Sequence, residues 1–315
     1  MLALLFPGQG SHEVGMGRDV FEASAAARAV FESADLALGF SLTRRIFEGP
    51  DDELTRTEIQ QPAILTTSIA LLRALEEALA TPLNPAYVAG HSLGEYSALV
   101  AAGALGFEDA VRLVRARGAF MQESVPEGRG AMAAVLGCAP DVVETACRQA
   151  SKELSLVVAP ANYNSPQQTV ISGDAIAVER ACTRARELGA KRAIPLSVSA
   201  PFHCELMAPS AEKLEPELAR VRFREASPPV ISNVEAVANT SADRIPNLLK
   251  AQVTAPVRFT EMVEQLKTLG VTRVVEVGPG QVLVGLVARI HRRMRRASFG
   301  GLTDLDEVSD LVSNA

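Results

Sequence analysis

Short apolar runs alternate with longer amphipathic stretches along most of this chain. The run Leu2–Phe6 reads as a buried strand, and residues 86–89, 230–234 and 272–277 repeat the pattern. Between them, residues 60–79, 95–118 and 259–269 carry apolar positions at helical spacing. Strands alternating with helices in this way predict a parallel α/β core. Residues 127–197 break the rhythm. Strands over 130–136, 156–161, 169–172 and 191–196, with helices over 140–153 and 174–188, give the order β-α-β-β-α-β. Asp141 and Asp174 stand where the two helices start, and Gly189 stands where the second should stop. That order is the ferredoxin-like one, two helices on one face of an antiparallel sheet.

The strand at 86–89 runs into Gly90-His91-Ser92-Leu93-Gly94, a G-x-S-x-G pentapeptide that opens a helix of small residues. Strand, tight turn and helix are the context a nucleophile elbow needs. The two glycines remove side chains that would clash with strand and helix, and the first N–H groups of the helix face the serine. The alternative is a plain glycine turn with a capping serine. With the elbow, the core becomes α/β-hydrolase-like, built from residues 1–126 and 198–315, with residues 127–197 inserted as the ferredoxin-like subdomain.

A serine needs a base. Of four histidines, His12 lies in a Gly-rich loop, His91 neighbours Ser92 and points away from it, and His291 lies in an arginine-rich stretch. His203 remains, in the loop after the fourth strand of the small domain, where Pro201 fixes its approach. The residues alone leave it open between base and structural histidine. Arg112, Arg115 and Arg117 ride on a helix whose positions 110, 111, 113, 114 and 116 are apolar. By periodicity all three coat the solvent face. Pro7-Gly8-Gln9-Gly10 reads as a turn, and Glu13, where a dinucleotide fingerprint needs glycine, excludes that site.

Further blocks occur in one order. They are Phe6-Pro7-Gly8-Gln9-Gly10-Ser11, Gly90-His91-Ser92-Leu93-Gly94-Glu95-Tyr96, Arg115-Ala116-Arg117-Gly118 with Met121-Gln122, and Asn162-Tyr163-Asn164-Ser165-Pro166. Phe202-His203, Asn233-Val234, Gln252-Val253-Thr254-Ala255-Pro256-Val257-Arg258-Phe259 and Glu276-Val277-Gly278-Pro279-Gly280 follow. From about residue 3 to about residue 290 the chain resembles the malonyl-CoA:acyl carrier protein transacylases and related polyketide acyltransferases. The resemblance implies Ser92 as nucleophile and His203 as base, with a backbone carbonyl near Gln252 as its acceptor in place of an aspartate. It implies an oxyanion hole from the N–H groups of Gln9 and Leu93. Arg117 is implied to hold the free carboxylate of malonate, which reverses the periodicity reading for that one arginine.

Met121 is placed beside the acyl group and Asn162 at the ligand, although the residues read equally as core filler and a turn cap. Phe202 and Leu93 resemble malonyl-selective members. Cys204 reads as structural. The implied partners are malonyl-CoA and a phosphopantetheinylated acyl carrier protein, through a malonyl-Ser92 ester, with no metal or redox cofactor. An acyl hydrolase that trims carrier-bound chains and a non-catalytic docking subunit are the competing readings. Two positions depart from the family, His12 where glutamine is common and Gln281 where lysine is common.

Composition narrows the class. The chain has 315 residues, 48% hydrophobic and 22% charged, as globular proteins do. Its longest apolar runs, such as 98–105, fall far short of a membrane span. The apolar start lacks a basic segment and reads as a first strand, not a signal peptide. Cys138, Cys147, Cys182 and Cys204 form no C-x-x-C or metal spacing, so a cytoplasmic chain with reduced thiols is expected. A monomer is expected as well. A net charge of −6 argues against nucleic acid. Against that acidity, Arg289, Arg292, Arg293, Arg295 and Arg296 cluster, either as a carrier-docking patch or as a solvated helix end.

Overall fold

A computed structural model describes residues 1–79, 83–126, 128–198 and 200–313. Its strands are β1 (Leu2–Phe6), β2 (Tyr87–Gly90), β3 (Gly130–Leu136), β4 (Val158–Ser165), β5 (Gln168–Asp174), β6 (Arg192–Pro195), β7 (Val230–Ile231), β8 (Ala238–Asn239), β9 (Arg273–Val277) and β10 (Arg295–Phe299). One sheet has the order β10-β9-β1-β2-β7-β8, and its pairings are parallel except for β8 against β7. Strand β1 is buried at every position, as a central strand covered on both faces must be. Leu4 and Phe6 join one core, and Ala3 and Leu5 join the other.

The second sheet, β4-β5-β3-β6, is antiparallel. Helices Pro140–Leu154 and Ala175–Glu187 cover it. Alternation along β3 explains its place in the fold. Ala133 and Val135 pack with those two helices, whereas Met132 and Ala134 join the main core. Strand β3 is therefore buried on both faces, one against its own two helices and the other against the main core. The expected start of this segment, residue 127, lies outside the described residues, as do Ser199 just past its end and the last two residues of the chain.

Several elements depart from the sequence pattern. The helix expected over 95–118 is two helices, Gly94–Ala101 and Phe107–Ser124, parted where Gly103 takes a left-handed φ of +68°. Strand β7 ends at Ile231, which frees Asn233 to turn toward the elbow. Four helices before residue 55, and the helices Ala208–Ala219, Ile245–Thr254, Val282–Ile290 and Leu305–Ser313, were not anticipated. The arginine cluster is also not a helix end alone. Arg295 and Arg296 begin the edge strand β10, and His291 bonds Glu264 at 3.1 Å instead of standing free in solvent. Strands β1, β2, β9 and β10 run in one direction, so Arg292, Arg293 and Arg295 lie at their N-terminal ends. Ser92 lies beyond the C-terminal ends.

At those C-terminal ends three turns converge, at 7–10, 91–93 and 278–280. Their closeness requires glycine. A Cβ added to Gly8 would lie 2.4 Å from the His91 carbonyl oxygen, and one on Gly278 would lie 2.5 Å from the Pro7 ring. A crevice beyond the carboxyl ends of parallel strands is where open α/β sheets bind ligands. Among the described residues, no helix is long and apolar enough to cross a membrane and no cluster could hold a metal ion.

Candidate active site

Strand β2 ends at Gly90 and the next helix begins at Gly94, which leaves three residues to reverse the chain. Ser92 meets this demand with φ +51°, a strained left-handed conformation for a residue with a side chain. A Cβ on Gly90 would sit 1.9 Å from the Gly94 carbonyl carbon, and one on Gly94 would sit 2.0 Å from the Phe6 oxygen. The side chain of Asn233 staples the turn. Ser92 N–H donates to Asn233 Oδ1 at 2.6 Å, and Asn233 Nδ2 donates to the Gly90 carbonyl at 2.7 Å. The Ser92 N–H is thereby occupied, and Leu93 follows as the cap residue of the helix.

The loop after β6 delivers His203, also at positive φ (+60°) and buried. Its Nε2 lies 2.7 Å from Ser92 Oγ, and its Nδ1 lies 2.8 Å from the main-chain oxygen of Gln252. A carbonyl can only accept, so the proton sits on Nδ1 and Nε2 is free to accept from the serine. The chain shows why that carbonyl is available. In the helix Ile245–Thr254 its partner would be the N–H of residue 256, and that residue is Pro256, which has none. Burial and the nearby Arg117 cation push the His203 pKa down to about 3, so the imidazole is a neutral acceptor.

Arg117 is 0% exposed. The neighbouring arginines of its helix behave as periodicity predicts, Arg112 pairing with Glu108 and Asp109 at the surface and Arg115 lying over Phe40. Arg117 instead points inward. It donates to Gln61 Oε1 at 2.7 Å, Gln252 Oε1 at 2.9 Å and Ser92 Oγ at 3.1 Å. It also lies over the Tyr96 ring, 5.6 Å from its centroid. Its Nε has no partner, and among the described residues no carboxylate lies within ion-pair distance of it. A buried cation with no carboxylate in direct contact is costly unless the site is made to receive an anion.

The other expected residues divide. Gln9 sits on the turn after β1, its side chain bonded to Gln60 at 2.8 Å and Gln61 at 3.3 Å. Met121 is buried with its sulfur 3.9 Å from Gln61 Nε2, beside the Arg117 network. Phe202 is buried next to His203. Gln252 meets Ser92, Arg117 and His203 together. Asn162 is buried within β4, bridged to Val257. Two residues further along the same strand, Asn164 reaches the elbow, bonded to His91 Nε2 at 2.8 Å. Cys204 bonds the Pro201 carbonyl, and His12 bonds Gln60 and Thr55.

Sequence reasoning missed Gln60, Gln61, Glu95, Asn164 and Asn233 as site residues. A signal existed for the glutamines, since Gln60-Gln61 is a polar pair on the buried face of the helix Thr57–Ala78. Glu95 carries no such signal, since an acidic residue is ordinary in the first turn of a helix.

A strained serine hydrogen-bonded to an oriented neutral histidine, on a turn where a helix begins, performs acyl-group chemistry. The chain belongs to the acyl transferase domain family, whose model matches residues 3–303. It is 51% identical over 294 residues to the malonyl CoA-acyl carrier protein transacylase of Bacillus subtilis (strain 168), covering 93% of this chain and 92% of that protein. A crystal structure of an acyl carrier protein S-malonyltransferase from Vibrio cholerae superposes with a TM-score of 0.94 at 44% identity, covering 98% of this chain and 99% of the other. A malonyl-transacylase in complex with a type II PKS acyl-carrier protein gives a TM-score of 0.94 at 42% identity, covering 99% of both chains. The resemblance read from the motif blocks is borne out.

Proposed function

We propose that this chain transfers a malonyl group from malonyl-CoA to the phosphopantetheine thiol of an acyl carrier protein, through an ester on Ser92. His203 Nε2 takes the Ser92 proton as Oγ attacks the thioester carbonyl. Backbone N–H groups of Gln9 and Leu93 hold the tetrahedral oxyanion. Coenzyme A leaves as the thiol, with the proton returned by His203. The carrier thiol then attacks the ester, passes its proton to His203, and Ser92 recovers it as the thioester forms. Met121 and Phe202 shape the acyl pocket, and residues 127–197 act as a subdomain that closes it.

The observation that carries the reading is Arg117, fully buried, without a carboxylate partner, and 3.1 Å from Ser92 Oγ. One methylene separates the two carboxyl carbons of malonate. An acyl group on Ser92 therefore brings its free carboxylate to the same guanidinium, which meets it as a planar fork. A hydrolase of neutral acyl chains has no use for such a group, and a docking subunit has no use for the dyad. Incubating the purified protein with labelled malonyl-CoA, with and without carrier, tests the reading. The expected result is label stable on the protein that moves to added carrier. Free malonate would mean a hydrolase, and unlabelled protein would mean a docking subunit.

A further inference from the structure

Glu95 is 3% exposed, three residues past Ser92, in the first turn of the elbow helix, and takes no part in bond making. Its Oε2 accepts from Gln252 Nε2 at 2.7 Å and from the Asn233 main-chain N–H at 3.2 Å. Each of these partners holds catalytic groups. Gln252 receives His203 Nδ1 on its main-chain oxygen at 2.8 Å and Arg117 on Oε1 at 2.9 Å, and its Nε2 also donates to the Ser92 carbonyl at 3.0 Å. Asn233 receives the Ser92 N–H at 2.6 Å.

A side-chain amide has one donor end and one accepting end, and both ends of Gln252 are in use. A carboxylate only accepts. With Glu95 on one side, the Gln252 NH2 must face it, so Oε1 must face the guanidinium. The flipped amide would set its NH2 against Arg117 and its oxygen against the carboxylate. Glu95 thus excludes the one alternative that would misplace the anchor while leaving the backbone unchanged.

We propose that Glu95 is a positioning residue for acyl transfer, fixing Gln252 and Asn233 so that His203, Arg117 and the strained Ser92 turn stay in reacting register. The proposal rests on the malonyl-transfer reading above. The charged and titratable groups facing Glu95 are Arg117 and Tyr96, with His203 one residue further through Gln252. Burial raises the Glu95 pKa to about 7, so its charge changes near neutral pH. Its negative charge also favours the imidazolium that forms as Ser92 attacks. Acylation therefore slows as Glu95 takes up a proton.

The test follows malonylation of Ser92 in wild type and Glu95→Gln by rapid quench and intact mass, from pH 5.5 to 9, with melting curves as the folding control. Wild-type kcat/KM is expected to fall as pH drops through about 7 and then level off. Glu95→Gln is expected to melt like wild type and to run flat across that range at the low-pH level. Glu95→Leu removes the acceptor altogether and is expected to lose up to about a hundred-fold in the acylation rate, the scale of a small misplacement of reacting groups. Superimposable wild-type and Glu95→Gln profiles at equal rates would overturn the proposal. A wild type that never forms the malonyl-Ser92 adduct would remove the transfer reading, and this proposal with it.

Discussion

Arg117→Ala separates substrate recognition from catalysis more sharply than any other change to this site. The guanidinium is fully buried, and its present partners are two neutral amides and the Ser92 hydroxyl. On the proposed mechanism, the malonyl carboxylate is its only full counter-charge within hydrogen-bond reach. Losing one partner of a desolvated charge pair costs about 2–5 kcal/mol. At about 1.4 kcal/mol per factor of ten, malonylation of Ser92 should fall between about thirty-fold and several thousand-fold in kcat/KM. Arg117→Lys keeps the charge but not the planar fork, so it should fall between wild type and Arg117→Ala. Acetyl-CoA supplies the comparison, since it has the thioester and no carboxylate. Rapid-quench acylation with each donor measures the malonyl-to-acetyl ratio directly. That ratio should collapse in Arg117→Ala, with acetyl transfer held or improved. Parallel losses for both donors would refute the reasoning and make Arg117 a structural residue that merely props Ser92 and Gln252.

Other outcomes follow from the same geometry. Ser92→Ala should fold normally and form no malonyl adduct by mass spectrometry; an adduct on that variant would move the nucleophile elsewhere. His203→Ala should slow Ser92 acylation by about 10²–10⁴-fold, the usual contribution of a positioned base, and an unchanged rate would remove it from the mechanism. His203 also shapes acid stability. Its folded pKa of about 3 lies below the unfolded value of 6.5, so the unfolded chain binds a proton that the folded chain refuses. Stability is lost as pH falls from 6.5 toward 3, by up to about 1.4 kcal/mol per pH unit, and His203→Asn should flatten that part of the denaturation profile relative to wild type. Gly94→Ala would place a methyl 2.0 Å from the Phe6 oxygen, and should cost at least about 1–3 kcal/mol by chemical denaturation.

The parallel core was legible because its strands are buried on both faces and read as unbroken apolar runs, as in Leu2–Phe6. The small sheet was legible for a different reason: its helices carry strong apolar stripes, and its strands fall at regular spacing. Early helices such as Ala25–Leu38 were not, since one mixes alanines with charged residues and the packed face rests on Phe31 and two alanines. Strand β10 hid behind its arginines, which sit on a sheet edge where polar side chains are tolerated. In the site, Ser92 stood out by motif, while elimination singled out His203 and left it open between base and structural histidine. Arg117 was a different case. Spacing alone set it with Arg112 and Arg115 on the solvent face, and only the family pattern turned it inward. Asn233 and Glu95 had no local signal, because their roles consist of contacts with residues 141 and 157 positions away.

On the proposed mechanism, the charges of the site favour a dicarboxylic acyl group in rate as well as in binding. Arg117 NH2 now donates to the same Ser92 Oγ that His203 must activate. A hydroxyl oxygen that accepts from a guanidinium has less electron density for attack. An acyl donor without a carboxylate leaves that bond in place. On the proposed mechanism, malonate offers the guanidinium a stronger acceptor, draws it off Oγ, and leaves the serine bonded to His203 alone. The buried cation is then neutralised by substrate, and the imidazolium that forms next has an oxyanion as its counter-charge. On this mechanism, substrate selection and nucleophile activation become one event at one arginine, and neutral acyl groups are penalised in rate even where they bind.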